Sequence, residues 1–211
     1  MSEENFLLSR IRACRYCADT PRGKPLPHEP RPVLRISATA RIAICGQAPG
    51  TRVHASGTPF SDASGDRLRD WMGVTPDEFY DERRIAIVPM GFCFPGLDAK
   101  GGDLPPRPEC APLWRKQVFA SLPHLQLVLL VGLHAQKWHL GAAAAKAGLT
   151  QTVTDWRRHY DASSVPAQLP LPHPSWRNTG WLKRNPWFAA ELLPVLRTRI
   201  RELLESGATR R

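Results

Sequence analysis

Three short apolar runs, each ending at a glycine, constrain this chain more than any other feature of it. RIAICG at 41–46, RRIAIVPMG at 83–91 and HLQLVLLVG at 124–132 have centres that are aliphatic at consecutive positions, without polar alternation. A strand of that kind is apolar on both faces and has to be covered on both, as buried parallel strands are. QLPLP at 168–172 is a weaker fourth run. Helices are expected over 64–73 with Ser64 as cap, 108–121, 134–148 and 185–207. The last has Asn185 as cap, Pro186 in its first turn and Gly207 at its end, and Pro194 inside it should kink or split it. Alternation of strand and helix implies an α/β fold, a three-layer α/β/α sandwich around a short, mostly parallel four-stranded sheet. In such sheets the site forms where the carboxyl ends of the strands open into loops. Three segments lie there: residues 46–65, 89–96 and 172–186.

With 211 residues the chain is long enough for one substantial core, and residues 1–211 are read as a single domain. Residues 1–40 mix charge and proline and should form a short helix over 3–15 followed by an extended arm, with too few apolar residues to fold alone. Lys and Arg total 29 against 19 Asp and Glu, a net charge of +10 that makes a polyanion the first partner to consider. No apolar run approaches the roughly 18 residues of a membrane span. The opening MSEENFLLSR is acidic and lacks the long apolar centre of a secretory signal, so a cytoplasmic location is expected. The 21 prolines fall in clusters that should stiffen long loops.

In a reducing compartment the cysteines are better tested against metal binding or catalysis than against disulfides. Cys14 and Cys17 form a C-x-x-C, and Cys93 and Cys110 flank a stretch rich in proline and glycine. These four form a metal site, or else Cys14 and Cys17 are ordinary thiols on a short helix and Cys93 and Cys110 are buried hydrophobes. Cys45 ends an apolar run and reads as a small core residue.

The first strand-end loop holds Gly46, Gly50, Gly57 and Gly65, with Gln47, His54, Phe60, Ser61 and Asp62 among them. Glycines let a backbone close on a ligand, either as a phosphate cradle or as a pocket for a flat ring with Phe60 as its face. No GxxxxGK[ST] or GxGxxG supports a nucleotide triphosphate or a dinucleotide. The last loop sets His173, Ser175, Trp176, Arg177 and Asn178 on one proline-stiffened turn. Cations for phosphates interleaved with rings for exposed bases suit a nucleic-acid strand.

GQAPG after the first strand, the following Gly-x-Pro-Phe-Ser and the late His-Pro-Ser together resemble the motifs of the uracil-DNA glycosylase superfamily, over residues 41 to about 188. Cys14, Cys17, Cys93 and Cys110, the last two separated by 16 residues, resemble the bacterial iron–sulfur branch. There four such cysteines hold a [4Fe–4S] cluster as a brace, and tetrahedral zinc fits the same ligands. The resemblance implies a monomeric DNA repair enzyme that flips uracil from DNA and hydrolyses its N-glycosidic bond, leaving an abasic site. An inactive nucleic-acid-binding member and a glycosylase for another damaged base are the alternatives.

The resemblance also distributes roles. Phe60 stacks the base. His173, as a neutral imidazole, donates to the departing oxyanion, and the Gln47-Ala48 backbone shares that charge. The family's first-motif acid is replaced here by Gln47 and Ala48, so Asp62 takes the sugar and the water, or else caps the next helix, while Gln47 orients a water. His54 is the fallback polar group. The family's base-reading Asn aligns with Pro89, leaving the reading to backbone around Met90 and Gly91. Trp176 and Arg177 enter DNA, Ser175 and Ser61 contact phosphates or cap turns, and Asn178 braces its loop. Trp71, Trp114, Trp138, Trp156, Trp181, Trp187 and Phe188 read as packing residues, and Arg197, Arg199, Arg201, Arg210 and Arg211 as a solvated basic face.

Overall fold

The computed structural model describes residues 3–161 and 165–206. The four apolar runs become β1 (Ile42–Cys45), β2 (Ile85–Ile87), β3 (Leu127–Val131) and β4 (Ala167–Leu171), in the order β2-β1-β3-β4. Every pairing is parallel, with Ile44 opposite both Ile87 and Leu129, and Leu129 opposite Leu169. β2 is much shorter than its apolar run, yet its continuation stays bonded to the first loop. Met90 N–H donates to the Gly46 carbonyl and Gly91 N–H to that of Gln47, both at 2.9 Å.

The helices are α1 (Glu3–Arg12), α2 (Tyr16–Asp19), α3 (Thr51–Ser56), α4 (Ala63–Met72), α5 (Pro76–Tyr80), α6 (Cys110–Ala120), α7 (Leu133–Thr154), α8 (Trp156–Asp161), α9 (Thr179–Arg184) and α10 (Leu193–Glu205). Successive strand residues feed two separate cores, because side chains alternate across a sheet. On one face Ile42, Ile44, Ile87 and Leu129 pack with Trp71 of α4, Phe79 of α5, Trp181 of α9 and Leu196 of α10. On the other, the smaller Ala43, Cys45 and Ala86 lie with Val128 and Leu130 beneath Leu7 and Ile11 of α1 and Trp114 of α6. The apolar residues of the first 40 thus complete the second core. The arm that follows runs antiparallel to β2: Arg35 and Ile87 exchange both backbone hydrogen bonds, at 2.9 and 2.7 Å, and Val33 N–H reaches the Phe92 carbonyl at 2.7 Å.

Several expectations need correction. The first helix stops at Arg12 instead of residue 15, and α2 follows it. Asp62, not Ser64, caps α4, its carboxylate accepting from Gly65 N–H at 3.0 Å. The helix expected over 134–148 runs from 133 to 154 but is broken at Gly141 and Gly148, with φ of 79° and 78°. Asn185 caps nothing with its side chain, which instead links the Trp181 carbonyl and the Trp187 indole N–H. Pro194 splits its helix: residues Phe188–Leu192 widen into a π-turn before α10, since proline cannot donate to the carbonyl four residues back and crowds it. Trp71, Trp114, Trp156, Trp181 and Phe188 are buried, whereas Trp138 is 45% exposed. It lies two positions beyond buried Gln136, on the other side of α7. Arg197 and Arg201 are not a free basic face: Arg197 holds carbonyls at the end of α4 and Arg201 grips Glu78 through both nitrogens. Gly207, Arg210 and Arg211 lie outside the described residues. Among the described residues no helix is long and apolar enough to cross a membrane.

Candidate active site

The carboxyl ends of β1, β2 and β4 open into a cleft of about 720 Å³. Its walls come from the 46–64 loop, the end of β2 and the 173–178 turn, with Phe60, Asp62 and His173 among them.

Phe60 is held by force of local structure. Its φ of 53° makes it the one non-glycine residue with positive φ among those described. Such a conformation costs about 1–3 kcal/mol and persists only where the surroundings fix it. Here they do: the Phe60 carbonyl receives the Tyr80 hydroxyl at 3.1 Å and the Arg69 guanidinium at 3.3 Å. Gly65 permits the turn, because a Cβ there would fall 1.8 Å from that carbonyl oxygen. The ring packs edge-on against Phe79, centroids 6.0 Å apart, and its tip rests on Gly46. A half-buried aromatic face is thereby fixed at the end of β1.

His173 follows β4 on the Pro172–Pro174 turn. Ser175 N–H donates to its Nδ1 at 3.2 Å, which leaves the proton on Nε2 and makes that nitrogen a donor. Burial lowers its pKa, with Asp62 acting in the opposite sense, so the ring is neutral near pH 7. The turn is rigid: Asn178 Nδ2 donates to the His173 carbonyl at 2.7 Å, and Arg67 of α4 to the Ser175 carbonyl at 3.0 Å. Trp176, 76% exposed, projects from it beneath the Arg177 guanidinium.

Asp62 has two positions at once, capping α4 through one oxygen and lining the cleft within electrostatic reach of His173. Gln47 and Ala48 also line the cleft, and the Gln47 amide donates to the Leu104 carbonyl at 3.2 Å. Ser175, Trp176, Arg177 and Asn178 share the same rim.

Four expected site residues are elsewhere. His54 turns away into a cluster with His28 and Phe94, its ring 4.2 Å from that of His28, where burial and then His28 lower its pKa. Ser61 pairs with the Ser56 hydroxyl at 3.0 Å. Met90 and Gly91 lie on the opposite side: Met90 sulfur meets buried Arg115, and Gly91, in the bend beyond β2, lines a second cavity. The residues that face the cleft from β2 are Ile87 and Pro89. Arg115 fixes that segment through the Val88 carbonyl at 2.8 Å and the Pro89 carbonyl at 3.4 Å.

The second cavity is lined by Cys14, Cys17, Cys93 and Cys110 together, with Ile11, Leu26 and Trp114. Phe92 N–H points at Cys110 sulfur, 3.3 Å away. Burial pushes the thiols of Cys93 and Cys110 up to about 12. Among the described residues, no group of three or more His, Cys, Asp or Glu side chains is arranged to hold a single metal ion. Cys45 lies apart, fully buried in the second core.

A cleft with a fixed phenyl face, a neutral imidazole donor and a carboxylate at its edge can seat a flat ring and assist hydrolysis of a bond there, and the net charge of +10 suits a nucleic-acid substrate. The comparison with known families agrees. The model of the uracil DNA glycosylase superfamily matches residues 35–197, and the chain belongs to that superfamily. The matched span includes Cys93 and Cys110 and begins beyond Cys14 and Cys17.

Proposed function

We propose that this protein removes uracil from DNA as a monomer in the cytoplasm, leaving an abasic site for base excision repair. The observation that carries the reading is the fixed tautomer of His173. With Nδ1 committed to Ser175 N–H, Nε2–H is the group free to meet a uracil O2 as the C1′–N1 bond breaks. Phe60 stacks the extruded base, and Asp62 faces the sugar as positive charge develops there. Trp176 fills the space the base leaves in the duplex, and Arg177, Ser175 and the net charge of +10 hold the backbone.

The cysteines fit the group that the iron–sulfur branch carries. Four soft donors meet at one cavity and a backbone N–H is aimed at one sulfur. All-thiolate ligation of this kind suits a [4Fe–4S] cluster held by Cys14, Cys17, Cys93 and Cys110, with zinc as the alternative. The cluster serves as a brace for the N-terminal helices and the 92–110 segment.

Pro89 favours a second reading, a different damaged base as the true target. Where the superfamily reads uracil with an amide side chain, this cleft has a ring with no donor. A panel of oligonucleotides, each with one lesion, tests both, in single and double strands. Fastest release of uracil is expected, and His173→Ala should slow it about 100- to 1,000-fold, as loss of an oxyanion donor does. Fastest release of another base moves the substrate to that lesion; no release at enzyme excess overturns both readings.

A further inference from the structure

A second carboxylate faces the cleft from a loop that no motif marks. Residues 96–104 form a small hairpin: Asp98 and Gly102 pair through backbone at 2.8 Å, and Leu104 N–H returns to the Gly96 carbonyl at 3.0 Å. The Asp98 carboxylate closes the turn, accepting from Lys100 N–H at 2.8 Å and Gly102 N–H at 2.9 Å. Gln47 ties the hairpin to the first loop through the Leu104 carbonyl. Asp103 emerges between these two anchorages and lines the cleft with Asp62 and His173. Its carboxylate lies directly over Gly50, where a Cβ would come within 3.2 Å of it. Among the described residues it has no hydrogen-bond donor and no ion pair, whereas Asp62 has already given one oxygen to the α4 cap.

We propose that Asp103 is a catalytic residue of this site, the general base for the hydrolytic water. The inference rests on the glycosylase reading above. In the step, water oxygen forms the bond to C1′ and the C1′–N bond breaks, its electron pair leaving with the base. Asp103 takes the proton that the water loses, and Asp62 faces the positive charge on the sugar. The leaving anion, held by His173, takes its proton from solvent. Burial raises the Asp103 carboxyl above the usual range, Arg177 opposes this and Asp62 adds to it. A carboxylate so placed is a stronger base than a free one. His173, Asp62, Arg52 and Arg177 are the charged or titratable groups that face the cleft beside it.

The test is single-turnover release of the preferred lesion across pH 4–9, for wild type, Asp103→Asn, Asp103→Glu and Asp62→Asn. Binding is read separately on DNA carrying a non-hydrolysable 2′-fluoro analogue of that lesion. Asp103→Asn should lose roughly 100-fold or more in rate, a general-base effect, keep its binding, and lose the acidic inflection of the wild-type profile. Asp103→Glu should regain part of the rate. Wild-type rate in Asp103→Asn, or a slower rate with an unchanged profile and weakened binding, overturns the assignment while leaving the glycosylase reading intact. A wild-type protein that releases nothing overturns both.

Discussion

Two cavities lie on either side of one stretch of backbone, and they are built on opposite terms. Pro89 faces the wide cleft with its carboxylates and imidazole, while Gly91, Phe92 and Cys93 face the small cavity with its thiols and apolar wall. The cleft is open and keeps its polar groups in place through hydrogen bonds made behind them, as with Ser175 behind His173 and Tyr80 behind Phe60. The cysteine cavity is enclosed by elements far apart in sequence, α1, the start of the arm and the N-terminus of α6, which the second core and bonds such as Arg22 N–H to Glu109 also join. On the function proposed above, the first is preorganised for chemistry and the second is the brace.

That contrast breaks most visibly at Cys17. Cys17→Ala should remove iron and the absorbance near 400 nm and lower Tm by about 10 °C, at roughly 2–4 °C per kcal/mol for a chain of this size. The rate of base release per folded molecule should change less than about threefold, since the brace supplies no group to the reacting atoms. A colourless wild type, or an unchanged Tm, removes the brace. The next effect comes from the cleft side. Gly65→Ala places a methyl against the Phe60 carbonyl and should cost about 2–3 kcal/mol, the range for forced overpacking, with a loss of base release as Phe60 shifts. Full activity in a stable Gly65→Ala protein would show that the Phe60 conformation is not what holds the base. The smallest effect lies outside both cavities. Arg201 holds the Glu78 carboxyl down to about 2 from 4.5, so its contribution is complete above pH 4.5 and is lost as pH falls towards 2. Glu78→Gln should cost about 0.5–1 kcal/mol at pH 7 for this partly exposed pair. The difference from wild type in urea unfolding should shrink below pH 4.5, and a constant difference would assign the loss instead to the hydrogen bonds that Glu78 exchanges with Thr75 at the start of α5.

How far these regions can be read from sequence differs for a physical reason. The strands were visible because a buried parallel strand needs an unbroken apolar run, His173 because it follows such a run by two residues, and Asp62 because it lies in the glycine-rich loop after β1, two residues past Phe60. Alternation decided Met90 the other way, with Val88 and against Ile87 and Pro89, and the bend after it carried Gly91 to the second cavity. Proximity to a strand end therefore does not choose the face. His54 is lost for a similar reason: it sits on the far side of α3, a helix that apolar spacing does not announce. Asp103 depends on a hairpin closed by the Asp98 side chain, and on a tie to Gln47, 56 positions earlier. The Asp98, Gly101 and Gly102 turn residues signal the hairpin, but nothing local says what it leans on.

The arm from Val33 to Arg35 has one more consequence. β2 ends the parallel sheet on its side, and Ile87 would otherwise offer free backbone groups beside an apolar surface. Such an edge recruits strands from other molecules. By bonding to Ile87 and Phe92 the arm occupies that template, and it follows in sequence the segment that carries Cys14 and Cys17. If the four cysteines hold the proposed cluster, its loss should appear at high protein concentration as self-association through β2.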